Sequence, residues 1–225
     1  MTLPVPLPSR LGFGVSGVHG TPLIGRPDTV ALIERASERG VRVFDTAPSY
    51  GGGEAERRLG AALKTMDRSR VWISTKAGVT GSALTGRRRD FSPGAIEAGV
   101  RASLSRLGVE GVDGLFLHGA GAGELTPALM RRLDDLRAAG AFALLGAAGR
   151  GAELDAALQT GRFQLLMTPV HPFIRDDARA RLSAAKAAGL AVLGIETAGP
   201  GLAPLRPPGT VADLHGLARG LVARA

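Results

Sequence analysis

Phe44-Asp45-Thr46-Ala47-Pro48-Ser49-Tyr50-Gly51 joins the end of a short apolar run, Val41-Arg42-Val43-Phe44, to a segment rich in proline and glycine. The run reads as a short buried strand. Ala-Pro-Ser-Tyr-Gly-Gly-Gly then breaks the chain into a loop. Asp45 therefore stands at the carboxyl end of a strand, and Tyr50, the only tyrosine present, stands in the loop beyond it. In α/β folds that edge is where chemistry is done. A phenol there, with an acid just before it in sequence, reads as a proton donor.

Outward from this stretch, short apolar runs alternate with helical segments. Strands are expected at 11–15, 41–44, 71–75, 112–117, 141–145, 163–168 and 190–195. Helices are expected near 28–39, 54–64, 93–107, 127–139, 152–160, 177–188 and 211–223. Asp28, Ser92 and Thr126 suit N-caps, and Pro93 and Pro127 suit the first helical position. Gly40, Gly140 and Gly189 each follow a helix and precede an apolar strand, where glycine tolerates the left-handed conformation that ends a helix. The alternation suggests a parallel sheet. No linker divides the chain, so residues 1–225 are expected to form a single domain. A closed barrel and an open doubly wound sheet both fit this pattern. The longest irregular stretches are 77–90 and 199–209.

The 225 residues are 44% hydrophobic and 4% aromatic, enough for a core built mainly of Ala, Val, Leu and Ile. With no cysteine, disulfide and thiolate chemistry are excluded. The N-terminus lacks the basic and apolar regions of a signal peptide, and no apolar run approaches the roughly 20 residues needed to span a membrane. A cytoplasmic location is therefore expected. The net charge is +8, which raises nucleic-acid binding. However, Arg57, Arg58, Arg131, Arg132, Arg179 and Arg181 fall at positions expected to be solvated helix faces, and no nucleic-acid partner is expected. Only Arg87-Arg88-Arg89 forms a run. It suits either a solvated surface or an anion site for a phosphorylated substrate or cofactor.

Gly12-Phe13-Gly14-Val15-Ser16-Gly17 has the spacing of a dinucleotide-binding fingerprint. That motif needs a helix starting inside it, and Val18-His19-Gly20-Thr21-Pro22 starts a helix poorly. A close backbone approach explains the glycines better. The stronger signal lies at successive strand ends. Strand two ends in Asp45, strand three in Lys76 and strand four in His118. Neighbouring parallel strands lie about 4.8 Å apart, so these side chains and Tyr50 can converge. A nearby ammonium favours phenolate over phenol. Asp45 would hold Lys76 charged and in place, and His118 would orient a substrate carbonyl or join a proton relay. Singly, each residue has a structural explanation: a turn cap, packing under a loop, a solvated strand end, a structural histidine. Four in register on consecutive strands are harder to explain that way. No metal is expected.

This set resembles the aldo-keto reductase superfamily. The 44–51 stretch is similar to its Asp/Tyr signature, Ser74-Thr75-Lys76-Ala77-Gly78 to its lysine strand, and Leu115-Phe116-Leu117-His118 to its histidine strand. Glu54-Ala55-Glu56-Arg57-Arg58-Leu59-Gly60, Asp90-Phe91-Ser92 and Ser103-Leu104-Ser105-Arg106-Leu107-Gly108 add matches and lean toward the aldose and sugar dehydrogenase branch. The likeness is strong over residues 10–118. It implies a TIM-type (β/α) barrel and hydride exchange between NADPH and a small carbonyl, sugar-like substrate or alcohol. Tyr50 would be the general acid, Lys76 its cationic partner, Asp45 the counter-ion and His118 the carbonyl orienter.

The second half departs from the family pattern. The Ser-Asn pair that usually holds the nicotinamide amide is replaced by Leu145-Gly146-Ala147-Ala148-Gly149. Met167 falls where a glutamine is usual, and Gln164 would face the other way. Gly199, Gly201 and Arg206 remain candidates for the cofactor pyrophosphate. The eighth β/α unit is expected to be missing, leaving a seven-stranded open or incomplete barrel with unpaired edges. A second subunit, the N-terminus or the C-terminal helix would cover them. Two other functions fit such a chain: a non-redox acid–base enzyme (isomerase, lyase, dehydratase or cyclase) without NADPH, and a non-catalytic binding protein.

Overall fold

A computed structural model describes residues 7–83 and 85–197. Seven strands form one sheet: β1 (Gly12–Gly14), β2 (Val43–Asp45), β3 (Trp72–Ala77), β6 (Val112–His118), β7 (Phe142–Ala148), β8 (Leu165–Pro169) and β9 (Ala191–Ile195). They lie in that order and every neighbouring pair is parallel. Helices α1 (Arg26–Glu38), α2 (Glu54–Leu63), α3 (Pro93–Leu107), α4 (Pro127–Ala138), α5 (Glu153–Thr160) and α6 (Asp176–Ala187) make the crossovers. A two-stranded ribbon, β4 (Val79–Ser82) with β5 (Gly86–Arg89), follows β3.

The choice between barrel and doubly wound sheet is settled by which faces the helices cover. A doubly wound sheet has helices on both faces. Here residues of all six helices pack with alternate strand residues such as Phe44, Ile73, Leu115, Leu117, Leu145 and Leu166 in one core. The other strand face forms a second cluster of Val43, Trp72, Phe116, Ala148, Leu165, Met167 and Ala191, with no helical residue in it. Side-chain alternation along a strand produces the two sets. Trp72 and Phe116 fill the inner face because their neighbours are glycines. A Cβ at Gly114 would come within 2.6 Å of Trp72, and one at Gly146 within 2.3 Å of Phe116. The sheet curls: a cavity of about 170 Å³ is lined by Gly12 and Val43 from one end of it and by Met167 and Leu193 from the other. The fold is a (β/α) half-barrel of seven parallel strands. Among the described residues there is no eighth parallel strand.

Expectation and structure differ at several points. The 77–90 stretch is not wholly irregular but holds β4 and β5. That ribbon escaped notice because it is mostly exposed and carries no apolar alternation. Asp28 does not cap α1. The helix starts earlier, with Gly25 at the N-cap, and Asp28 sits in the first turn, where a carboxylate favours the positive helix end. Ser92 and Thr126 do cap α3 and α4. Arg58 and Arg181 are buried rather than solvated, at 5% and 7% exposure. Arg58 donates to the carbonyls of Ile24 and Thr21 and to Thr29 Oγ1, tying the segment after β1 to α2. Arg181 pairs with Asp155 at 2.7 Å. The helix expected at 211–223 lies outside the described residues. No helix among the described residues is long and apolar enough to cross a membrane. The N-terminal segment covers part of the inner face, as Leu7 packs on that cluster and Ser9 Oγ accepts from the Arg42 amide.

Gly60 sets how closely α2 approaches α3. A Cβ there would lie 2.7 Å from the carbonyl oxygens of Arg106 and Leu107. Backbone cannot step aside as a flexible side chain can. Gly60→Ala is expected to cost about 1–3 kcal/mol despite alanine's better helix propensity. Chemical denaturation checks this, and an unchanged or raised midpoint would refute it.

Candidate active site

The site continues the inner rows of side chains at the carboxyl ends of the strands. Val43 faces inward, so Asp45 does as well. Trp72 is followed on the same face by Ser74 and Lys76, and Phe116 by His118. Register aligns Asp45 with Ser74, and Lys76 with Phe116. Apolar rows therefore end in a polar layer. Tyr50 reaches this layer from the β2–α2 loop. Gly51 has φ +64° and packs so tightly on Gly20 that a Cβ would lie 1.8 Å from the Gly20 oxygen. Glycine is needed there for both reasons, and the contact anchors the tyrosine loop against the segment after β1.

The structure brings all four expected residues together. Lys76 Nζ donates to Asp45 Oδ2 at 2.5 Å and to the Thr46 carbonyl at 2.9 Å. Ser74 Oγ donates to Asp45 Oδ1 at 2.7 Å, so both carboxylate oxygens are engaged. Lys76 Nζ lies 5.1 Å from the centre of the Tyr50 ring. The Tyr50 and His118 rings meet edge to face, with centroids 6.3 Å apart. Burial disfavours the Lys76 ammonium, but the Asp45 carboxylate and the Tyr50 side chain more than offset this, and its pKa is raised. Ser74 and the Thr46 carbonyl were not anticipated from sequence. Ser74 lies opposite Asp45 in the register, and only correct strand pairing reveals that.

His118 is held neutral. Burial, then the charges of Lys76, Arg87, Arg150 and Arg89, lower its pKa from 6.5 to about 4. Its Nδ1 is buried without a hydrogen-bond partner. Above pH 6.5 both folded and unfolded states hold a neutral imidazole. Between 6.5 and about 4 only the unfolded chain takes the proton, so stability falls as pH drops through that window and levels off below it. An NMR titration of His118 should show a midpoint near 4. A midpoint near 6.5 would contradict this environment.

A part-buried ion pair supports the layer from outside. Glu56 on α2, fully buried, accepts from Thr75 Oγ1 at 2.6 Å and from Arg106 Nε on α3 at 2.5 Å. Thr75 is the residue before Lys76, so this pair fixes the lysine strand against two helices. The sequence matches at 54–60 and 103–108 thus meet in space.

On the other side of the barrel the polar groups thin out. β7 ends in Ala147 and Ala148, both buried and small. Met167 lies on the inner face. Gln164 is engaged elsewhere, accepting from Arg137 and from the Leu145 amide. Gly199, Gly201 and Arg206 lie outside the described residues.

The sequence pattern that defines the aldo/keto reductase family matches residues 10–204. A D-threo-aldose 1-dehydrogenase from Pseudomonas sp is 32% identical over 192 residues, covering 71% of this chain and 58% of that protein. An NADH-specific methylglyoxal reductase from Escherichia coli (strain K12) is 30% identical over 175 residues, covering 70% and 54%. The solved glycerol dehydrogenase of Gluconobacter oxydans superposes with a TM-score of 0.75 at 26% identity, covering 92% of this chain and 65% of that one. The chain thus spans little more than half the length of the two relatives. Its parallel half-barrel, its strand-end Asp-Lys-His layer with the loop tyrosine, and these matches lead to one conclusion: the chain belongs to the aldo/keto reductase family.

Proposed function

We propose that this chain is an oxidoreductase that exchanges a hydride between NADPH and a small carbonyl or alcohol, with Tyr50 as the proton donor in reduction. The observation that carries the reading is the Asp45–Lys76 pair held beside the Tyr50 ring at the barrel mouth. When bound, the cofactor supplies the hydride. The chain's own groups do the rest. His118, neutral near pH 7, has one ring N–H to offer the carbonyl oxygen. Tyr50 Oη gives its proton to that oxygen as the carbonyl electron pair moves onto it. The phenolate left behind faces the Lys76 ammonium, whose charge Asp45 secures. Each group acts where charge develops, which is what lowers a barrier.

At the nicotinamide end the described residues of β7 and β8 offer the cofactor small and apolar side chains and no free side-chain amide. At the end of β7 Ala148 puts only a methyl group on the inner face, while Ala147 packs in the helix-covered core. Ring binding then rests on packing and backbone groups. For the pyrophosphate, Gly199, Gly201 and Arg206 remain the proposed residues. Relatives bear names for aldose, methylglyoxal and glycerol chemistry, which favours a small, polar carbonyl or sugar-like substrate here. The E. coli relative is named for NADH, so both nicotinamides belong in the test. Calorimetric titration with NADPH and NADH should show saturable binding, and adding an aldehyde should consume the reduced form's absorbance. No binding at millimolar concentration would sink the reading.

A further inference from the structure

A cavity of about 690 Å³ opens beside Tyr50, within the usual range for small-ligand sites. Its walls are the segment after β1, the Tyr50 loop with the start of α2, and the β4–β5 ribbon. Its charged lining is Arg26, Glu54, Arg58 and Arg87. Glu54 is shared by Arg26 at 2.9 Å and Arg58 at 3.0 Å, and Arg58 is also spent on backbone carbonyls. Arg87 differs. Among the described residues, no ion pair or hydrogen bond engages its side chain.

Its direction is fixed by the ribbon. Arg87 pairs with Gly81 and Arg89 with Val79, so both share a face and Arg88 takes the other. Arg87 and Arg89 both act electrostatically on His118. Two of the three arginines near His118 are neutralised: Arg89 by Glu124, Arg150 by Glu196. Arg87 is left as an unpaired cation that lines a cavity with Tyr50 and lies within electrostatic reach of His118.

We propose that Arg87 binds an anionic group, a carboxylate or phosphate, on the carbonyl substrate, so that the substrate class is anionic aldehydes and ketones. This rests on the reductase reading. A guanidinium meets either anion with paired, charge-assisted hydrogen bonds. The Tyr50 and Arg87 walls would then orient the carbonyl and the anion of one molecule.

The test compares matched substrates in the full chain. Succinic semialdehyde is set against pentanal, and glyceraldehyde 3-phosphate against glyceraldehyde. Arg87→Gln should raise KM about 10- to 100-fold for the anionic member and leave the neutral member and kcat nearly unchanged. Which pair responds identifies carboxylate or phosphate. Arg88→Gln, with the same loss of net charge on the opposite face, should change neither. Equal effects on charged and neutral substrates, or equal effects of the two variants, overturn the proposal. If none of the four compounds is reduced, the reductase reading is still judged separately by NADPH and NADH binding. Calorimetry with succinate and with inorganic phosphate then decides: binding lost in Arg87→Gln supports the anion site, and absent or unaltered binding refutes it.

Discussion

Tyr50→Phe is expected to lower kcat by about three orders of magnitude while leaving cofactor affinity and fold intact. The size follows from what a positioned general acid contributes, about 10² to 10⁴ in rate. The substitution removes one oxygen and keeps the ring. The edge-to-face contact with His118 belongs to that ring, while the hydroxyl's hydrogen bond with the buried Lys76 is lost, so stability should fall by only about 1–2 kcal/mol. The loss should appear in kcat and not in KM, because the proton is transferred only in the transition state. Carbonyl-dependent oxidation of NADPH by stopped flow checks it, with calorimetry as the binding control. A variant that keeps a tenth or more of the wild-type kcat would remove Tyr50 from the mechanism. Turnover without any nicotinamide that vanishes in this variant would instead favour acid–base chemistry without a redox step.

Much of this site was legible in sequence because its residues sit at strand ends, where an apolar run stops and a polar residue follows. Asp45, Lys76 and His118 each close such a run, and strand alternation places them on the inner face. The starts of α3 and α4 were legible too, since Ser92 and Thr126 cap and Pro93 and Pro127 open them. Two kinds of feature were not. Arg58 looks solvated in any helical pattern, and its burial depends on the Thr21, Ile24 and Thr29 groups that the fold brings to it. In the β4–β5 ribbon β5 is exposed throughout and the buried residue of β4 is the polar Ser82, so hydrophobic periodicity carries no trace of it. The choice of barrel over doubly wound sheet also eluded the pattern. Both architectures share the strand–helix alternation and differ in whether the crossovers cover one sheet face or two.

Asp45→Asn should cost about 3 kcal/mol of stability at pH 7, because it leaves the Lys76 ammonium buried without a counter-ion. The lysine side chain is 2% exposed. Burial alone pushes its pKa down, and Asp45 is foremost among the groups that reverse the sign. Two opposite pH dependences follow. In the wild type, the raised lysine pKa contributes stability that is complete below 10.5 and is lost as pH climbs from 10.5 through the raised value. In the variant the folded pKa lies below 10.5, so stability increases as pH climbs from that lowered value toward 10.5. The two curves should therefore converge in alkali, and parallel curves would refute the assignment. Lys76→Met in the Asp45→Asn background removes the stranded charge and should restore much of the loss, since an apolar replacement of a buried ion pair is often neutral. That double variant separates the two roles of the pair. If it folds as stably as the wild type but reduces no carbonyl, the Asp45–Lys76 pair is held in the barrel for proton transfer by Tyr50 and not for stability.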